Sequence, residues 1–255
     1  MIMYKFLYSR LFWTVSFSIF SFTFISCGSD DDKDLLPIND VTLQYGQEWY
    51  INEVGNKTVT FDNDFIASFN DGKLCGDHVG QTSALTADGR RFNVSVKSTV
   101  TIIKDMEIDW NKDEDWYVQN SPVGVLQGNG NYNQPVYTCQ DAVTKISYAY
   151  SFRNDNRKLK AAGILIPVSY VSQLAKYLKE RFFSVSTEAI SDVIFVEGFN
   201  AYTPEKATMA YGLSIPNTSY YQVTIINPKD VSSSKTRSPE NDLMPVFENL
   251  INGAN

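Results

Sequence analysis

Apolar and polar residues alternate at period two along the first folded part of the chain, at Leu43 and Tyr45, Trp49 and Ile51, Val59 and Phe61, then Phe92, Val94 and Val96. Each set is bounded by Gly, Asn or Asp. Alternation of this kind turns one face of a strand to a core and the other to water. Asp71-Gly72 and Asp88-Gly89 read as tight hairpin turns between such strands. Short strands at a spacing of about ten residues predict an all-β sandwich over 41–105.

Beyond it the period changes. Val143 to Phe152 and Leu159 to Ile166 read as two strands joined by the polar turn Arg153 to Arg157. Val168, Val171, Leu174, Ala175, Leu178 and Phe182 then recur at helical spacing, with Lys176, Lys179 and Glu180 on the opposite face. Further strands are predicted at Val193 to Phe199, Thr208 to Ile215 and Tyr221 to Ile226, all rich in aromatic or β-branched residues. One main helix packed on an antiparallel sheet makes 106–228 an α+β domain. One face of that sheet is left for loops, for the neighbouring domain or for a ligand. The segment 229–255 opens as a polar linker and ends with Leu243, Val246, Phe247, Leu250 and Ile251 at helical spacing, behind Asn241 or Asp242 as a cap. A helix this short is marginal alone in water and is expected to dock on its own domain.

The amino end has a different pattern. Lys5 and Arg10 precede an apolar run from Leu11 to Ile25, which is too short for a transmembrane helix and has the layout of a secretory signal over 1–26. Phe24-Ile25-Ser26-Cys27, followed by Gly28-Ser29-Asp30-Asp31-Asp32-Lys33-Asp34, resembles the processing site and acidic export signal of surface lipoproteins of the Bacteroides group. Phe24 departs from the commoner Leu of that motif. The resemblance implies a lipid such as palmitate on Cys27 and an export tag of Ser29, Asp30, Asp31 and Asp32 within an acidic tether, 27–40. It also implies a lipid-anchored place at the outer membrane, facing the cell exterior. Several acyl chains at about 0.8 kcal/mol per buried methylene would make such an anchor effectively permanent.

Charge and cysteine content narrow the partners. The net charge is −7, and −9 once Lys5 and Arg10 leave with the signal. That balance argues against nucleic acid, which needs positive charge on the protein side. If Cys27 carries lipid, Cys75 and Cys139 remain, in what read as different domains, so two buried thiols are expected rather than a bridge. Two thiols and the lone His78 cannot furnish the four such ligands of a structural zinc site, and no cofactor is expected. His78 lies in a Gly-rich turn and reads as a solvated loop residue.

The stretch Phe65 to Thr82, leading into Phe92 to Val96, resembles the second half of a group 2 bacterial immunoglobulin-like domain. Asp71, Gly72, Gly76, Val79, Gly80 and Thr82 occupy the places of that family's Asp/Asn-Gly turn, following Gly and Val-Gly-Thr corner. Cys75 stands where a small polar residue or Val is more usual. The resemblance implies an immunoglobulin-like spacer or adhesive module and lends no catalytic residues. The α+β part looks like a type found in uncharacterised lipoproteins of the same bacteria, with no specific motif.

Candidate chemistry is sparse. Asp109, Asn111, Asp113 and Asp115 have the alternating oxygens of a calcium loop, but Glu114 and Asn120 stand where an EF-hand needs Gly and Glu. The favoured reading of Met106 to Tyr117 is an acidic junction with Trp residues packed between domains. Trp110, Trp116, Tyr202, Tyr211 and Tyr220 are candidate surfaces for stacking a ligand. Carboxylate pairs such as Asp192 with Glu197, or Asp141 with Asp155, are the chemistry open to a glycan hydrolase, whose two carboxyls must face each other across a cleft. No nucleotide loop, nucleophile elbow or metal-binding His pair occurs. The leading expectation is a non-catalytic binding or interaction module for a glycan or protein, raised on a spacer. A structural subunit of a fimbria or surface assembly, and a carboxylate-dependent glycan hydrolase, are the alternatives.

Overall fold

The computed structural model describes residues 36–130, 132–190, 193–200, 208–215, 217–227 and 243–253. The chain is a mixed, β-rich protein with few helices. Seven short strands come first: β1 (Val41–Gln44), β2 (Glu48–Tyr50), β3 (Val59–Phe61), β4 (Ala67–Asn70), β5 (Lys73–Gly76), β6 (Gly80–Thr86) and β7 (Arg91–Lys97). They form a four-stranded sheet, order β1-β7-β6-β3, and a three-stranded sheet, order β2-β5-β4. β1 runs parallel to β7, while every other pairing in the two sheets is antiparallel. Leu43, Leu74, Val94 and Val96 meet in a core shared by both sheets. Each such buried side chain contributes about 1.5–3 kcal/mol.

The predicted alternation holds in β1, β3 and β7. In β7, Phe92, Val94 and Val96 are buried while Arg91, Asn93 and Lys97 are exposed. Asp71 and Gly72 both have positive φ, 51° and 79°, which closes the β4–β5 hairpin with the backbone twist its strands require. Trp49 departs from the pattern. It pairs with buried Leu74 yet is 54% exposed, because β2 is the edge strand of its sheet among the described residues.

The second sheet system has eight strands in all-antiparallel order. They are β8 (Gln127–Asn129), β9 (Val136–Gln140), β10 (Ser147–Phe152), β11 (Leu159–Pro167), β12 (Phe183–Ile190), β13 (Val193–Phe199), β14 (Met209–Ser214) and β15 (Tyr220–Ile226). Their order is β12-β13-β14-β15-β11-β10-β9-β8. Helix α1 (Glu114–Asn120) enters through Asp113, whose carboxylate accepts the Trp116 N–H at 3.0 Å. Helix α2 (Val171–Lys179) follows a 3-10 turn, Val168–Tyr170, and buries Leu174, Tyr177 and Leu178. These meet Tyr148, Tyr150, Ile164 and Val223 on one sheet face.

The opposite face, expected to be left for loops, the neighbouring domain or a ligand, is covered in part by α3 (Met244–Gly253), which docks on its own domain as expected: Leu243, Val246 and Phe247 bury against Ala149, Ala161 and Leu165. The small residues of β10 and β11 make room for this: a Cβ on Gly163 would stand 2.7 Å from Leu243 Cδ1 and 2.9 Å from Phe247 Cζ. Helix α1 and strands β8 and β9 were not predicted because they are short, and β12 was not because Thr187 and Ala189 give its alternation little apolar contrast. Val143 lies not in a strand but in the loop before β10, 89% exposed. Asp141 organises that loop by accepting the N–H groups of Val143 and Thr144.

Candidate functional site

Contacts place Pro37–Asn255 in one unit, and a cleft of about 490 Å³ opens where the two sheet systems meet. The carboxyl end of α2 fixes one wall. The carbonyl of Glu180 accepts the Val79 N–H at 2.8 Å, and its buried carboxylate accepts the Thr99 N–H at 3.2 Å and the hydroxyls of Ser98 and Thr99. The next residue, Arg181, lies over the Tyr177 ring at 3.7 Å, donates to the Tyr177 carbonyl at 3.1 Å and pairs with Asp105. Desolvation pushes the Tyr177 hydroxyl up from its ordinary value, so the phenol is neutral throughout the physiological range.

Ile66, Val79, Val96, Met106 and Phe182 supply the apolar lining, and Asn63, Gln81, Ser95, Asn200 and Thr208 the neutral polar groups. Asn200 and Thr208 bind each other through the Thr208 N–H to Asn200 Oδ1, 2.7 Å, and the Asn200 N–H to the Thr208 carbonyl, 3.2 Å. Clefts that mix apolar walls with a few convergent polar groups, at the junction of two sheet systems, are the usual form of a ligand site. The lining charges are largely spoken for: Arg181 with Asp105, and Glu107 with Lys112 at 3.0 Å. Among the described lining residues, no hydroxyl is hydrogen-bonded to a base. Among the described residues no cluster of three His, Cys, Asp or Glu gathers to hold a metal.

The residues singled out in the sequence are scattered. Cys27, Ser29, Asp30, Asp31, Asp32, Tyr202 and Asp192 lie outside the described residues, as does the apolar run of the amino end. Among the described residues no helix is long and apolar enough to cross a membrane. Tyr211 pairs by its backbone with Thr224 and Glu197, and the side chains of Tyr211 and Glu197 are likewise outside the description. Trp110 borders the cleft, donating from Nε1 to Thr208 Oγ1 at 3.2 Å. Trp116 already carries the Lys112 ammonium over its ring at 3.6 Å and meets Tyr117 edge-on. Both Trp residues pack on the α2 face of the large sheet, whereas Tyr220 packs on the α3 face, so these aromatics form no common row. Asp141 and Asp155 sit before and after β10, with a six-residue strand between them, and do not face each other.

Three other placements correct the expectations. His78 is not a solvated loop residue: its ring stacks on Phe65 at 3.7 Å and its Nδ1–H donates to the Phe65 carbonyl at 2.7 Å. Burial holds its pKa below the ordinary value. Cys75 and Cys139 are free, as expected, but only half-buried rather than buried, with desolvation raising both thiols. The exposed aromatic pair that pattern reading missed is Trp49 with Tyr50, 54% and 63% exposed. The available signal was the brevity of β2 and its charged start at Glu48, marks of an edge strand. Comparison of the chain with protein-family models, curated proteins and solved structures finds no match.

Proposed function

We propose that this is a lipid-anchored surface protein of the outer membrane, whose folded part acts as a non-catalytic binding or interaction module for a glycan or protein. The observation that carries the reading is the cleft between the two sheet systems, whose wall is held rigid by the buried Glu180 carboxylate and whose charges are mostly paired within the protein. A cleft that sets apolar wall beside neutral polar groups suits the capture of a ligand. The anchor rests on the amino-terminal residues Phe24 to Asp34.

For 41–105 the finer reading is an immunoglobulin-like sandwich that serves as a spacer. Two sheets of four and three strands around one core support it, as does the hairpin turn at Asp71-Gly72. The test has two arms. Labelled palmitate on the wild-type chain, lost in Cys27→Ala, tests the anchor, and protease treatment of intact cells tests exposure. An array of glycans and host proteins probed with the full chain tests the binding role, and a blank array would refute it.

Assembly into a surface structure is a second reading favoured by one observation. The edge strand β2 presents Trp49 and Tyr50 to solvent on a flank that is unpaired among the described residues. Such edges accept strands from other chains. A monomer at high concentration in solution would dispose of that reading.

A further inference from the structure

We propose that the outer face of the four-stranded sheet and the cleft it runs into form one continuous track for an extended, uncharged oligosaccharide. This rests on the reading of the chain as a binding module and names the ligand class. A second depression, about 540 Å³, lies over that sheet and shares Asn63, Gln81 and Ser95 with the cleft, so the two are contiguous.

The chemistry of the track follows from strand register. Thr42, Ser95 and Gln81 stand side by side across β1, β7 and β6, and Asn93 stands opposite Ser83 in the next outward row. All point away from the core, since the intervening Leu43, Val94, Val96 and Ala84 are buried. Five neighbouring outward positions are therefore neutral amides or hydroxyls. Ser83 donates to Asn93 Oδ1 at 3.1 Å, and Asp40 holds the Asn93 side chain and N–H. The side chains of Thr42, Gln81 and Ser95 have no hydrogen-bond partner among the described residues. A hydroxyl offers both donor and acceptor, and amide groups match such partners in both senses.

Two features favour this ligand over others. The Gln81 and Ser95 row lies on β6 and β7, which are paired on both sides, so a peptide strand could add only at the outer flank of β1 or β3 and not along that row. The ionisable groups lining the track are Asp40, Asp62, Asp105 and Glu107 against Lys97 and Arg181, and Arg181 is already engaged by Asp105. An anionic chain would meet an excess of like charge there. At the cleft end, Ile66, Val79 and Met106 offer apolar wall to the C–H faces of sugar rings.

The full chain is titrated calorimetrically with neutral hexasaccharides (maltohexaose, cellohexaose and mannohexaose) and with hexagalacturonate as the acidic probe. Expected is binding of at least one neutral probe and none of the acidic one. The double variant Gln81→Ala, Ser95→Ala should weaken that binding by roughly thirtyfold, the loss of two ordinary hydrogen bonds, with an unchanged melting temperature. Neutral binding that the double variant leaves intact would overturn the track while sparing the binding role. Binding of only the acidic probe, or of only proteins on the array, would overturn the ligand class and likewise spare the role. No binding to any probe or array would overturn both.

Discussion

Glu180, the residue that closes α2, accepts the backbone N–H of Thr99 at 3.2 Å across the junction of the two sheet systems. Its carboxylate is buried, and Ser98 and Thr99 donate their hydroxyls to it. Hydrogen bonds to a charged acceptor contribute about 1.5–3 kcal/mol, more than neutral ones. Glu180→Ala is therefore expected to lower unfolding stability by roughly 1.5–3 kcal/mol, measured by urea denaturation. It should also loosen the cleft wall, read as faster amide exchange at Val79 and Thr99.

Gly163 sits under α3. An added methyl would meet Leu243 Cδ1 at 2.7 Å, Phe247 Cζ at 2.9 Å and the Val223 carbonyl at 2.9 Å, and the last of these is backbone and cannot step aside. Gly163→Ala should cost roughly 1–3 kcal/mol by overpacking and release α3, visible as lost exchange protection from Val246 to Leu250. Phe247→Ala should cost about 3–5 kcal/mol through the void it leaves. Thermal melts that do not move in either variant would mean that α3 does not hold this face.

Acid sensitivity near neutrality should come from His78, the single histidine of the chain. Burial against Phe65 lowers its pKa from the ordinary 6.5, so the unfolded chain takes up the proton more readily than the folded one. Its contribution to stability is complete above pH 6.5 and is lost as pH falls through the folded-state value. Asp40, Asp88 and Asp141 are held below their ordinary 3.8 by hydrogen bonds, first from Asn93, Arg90 and Thr144 respectively, and matter only in stronger acid. The midpoint of urea unfolding should decline as pH falls below 6.5, and His78→Gln should flatten that decline.

Cys75 and Cys139 should react as separate free thiols. Desolvation raises both above the ordinary 9.0, which leaves little thiolate at neutral pH. Iodoacetamide should alkylate both peptides without prior reduction, slowly at pH 7 and much faster above pH 9. Mass spectrometry that finds the two peptides joined would contradict the fold described here.

How far the chain could be read depended on the range of each interaction. The β13 strand, Val193–Phe199, and the α2 and α3 helices were legible because neighbouring residues carry their periodicity. Trp49 was misread because its alternation is that of a core strand, and its edge position among the described strands is what exposes it. The cleft was not legible at all, since its lining comes from Asn63 to Ile225 and no local pattern marks a residue as facing a distant segment. Gln81 and Ser95 looked like any polar half of an alternating strand.

The order of residues alone settled the period-two strands, the Asp71-Gly72 turn and the amphipathic faces of α2 and α3, all consequences of backbone geometry and of the near neighbours along the chain. Tertiary structure alone decided which sheet face α3 covers, that β1 lies parallel to β7, and that Glu180 spans to Thr99. Those outcomes depend on pairings between residues far apart in sequence. The free energy of such pairings comes from burial and hydrogen bonds that exist only once both partners have been brought together.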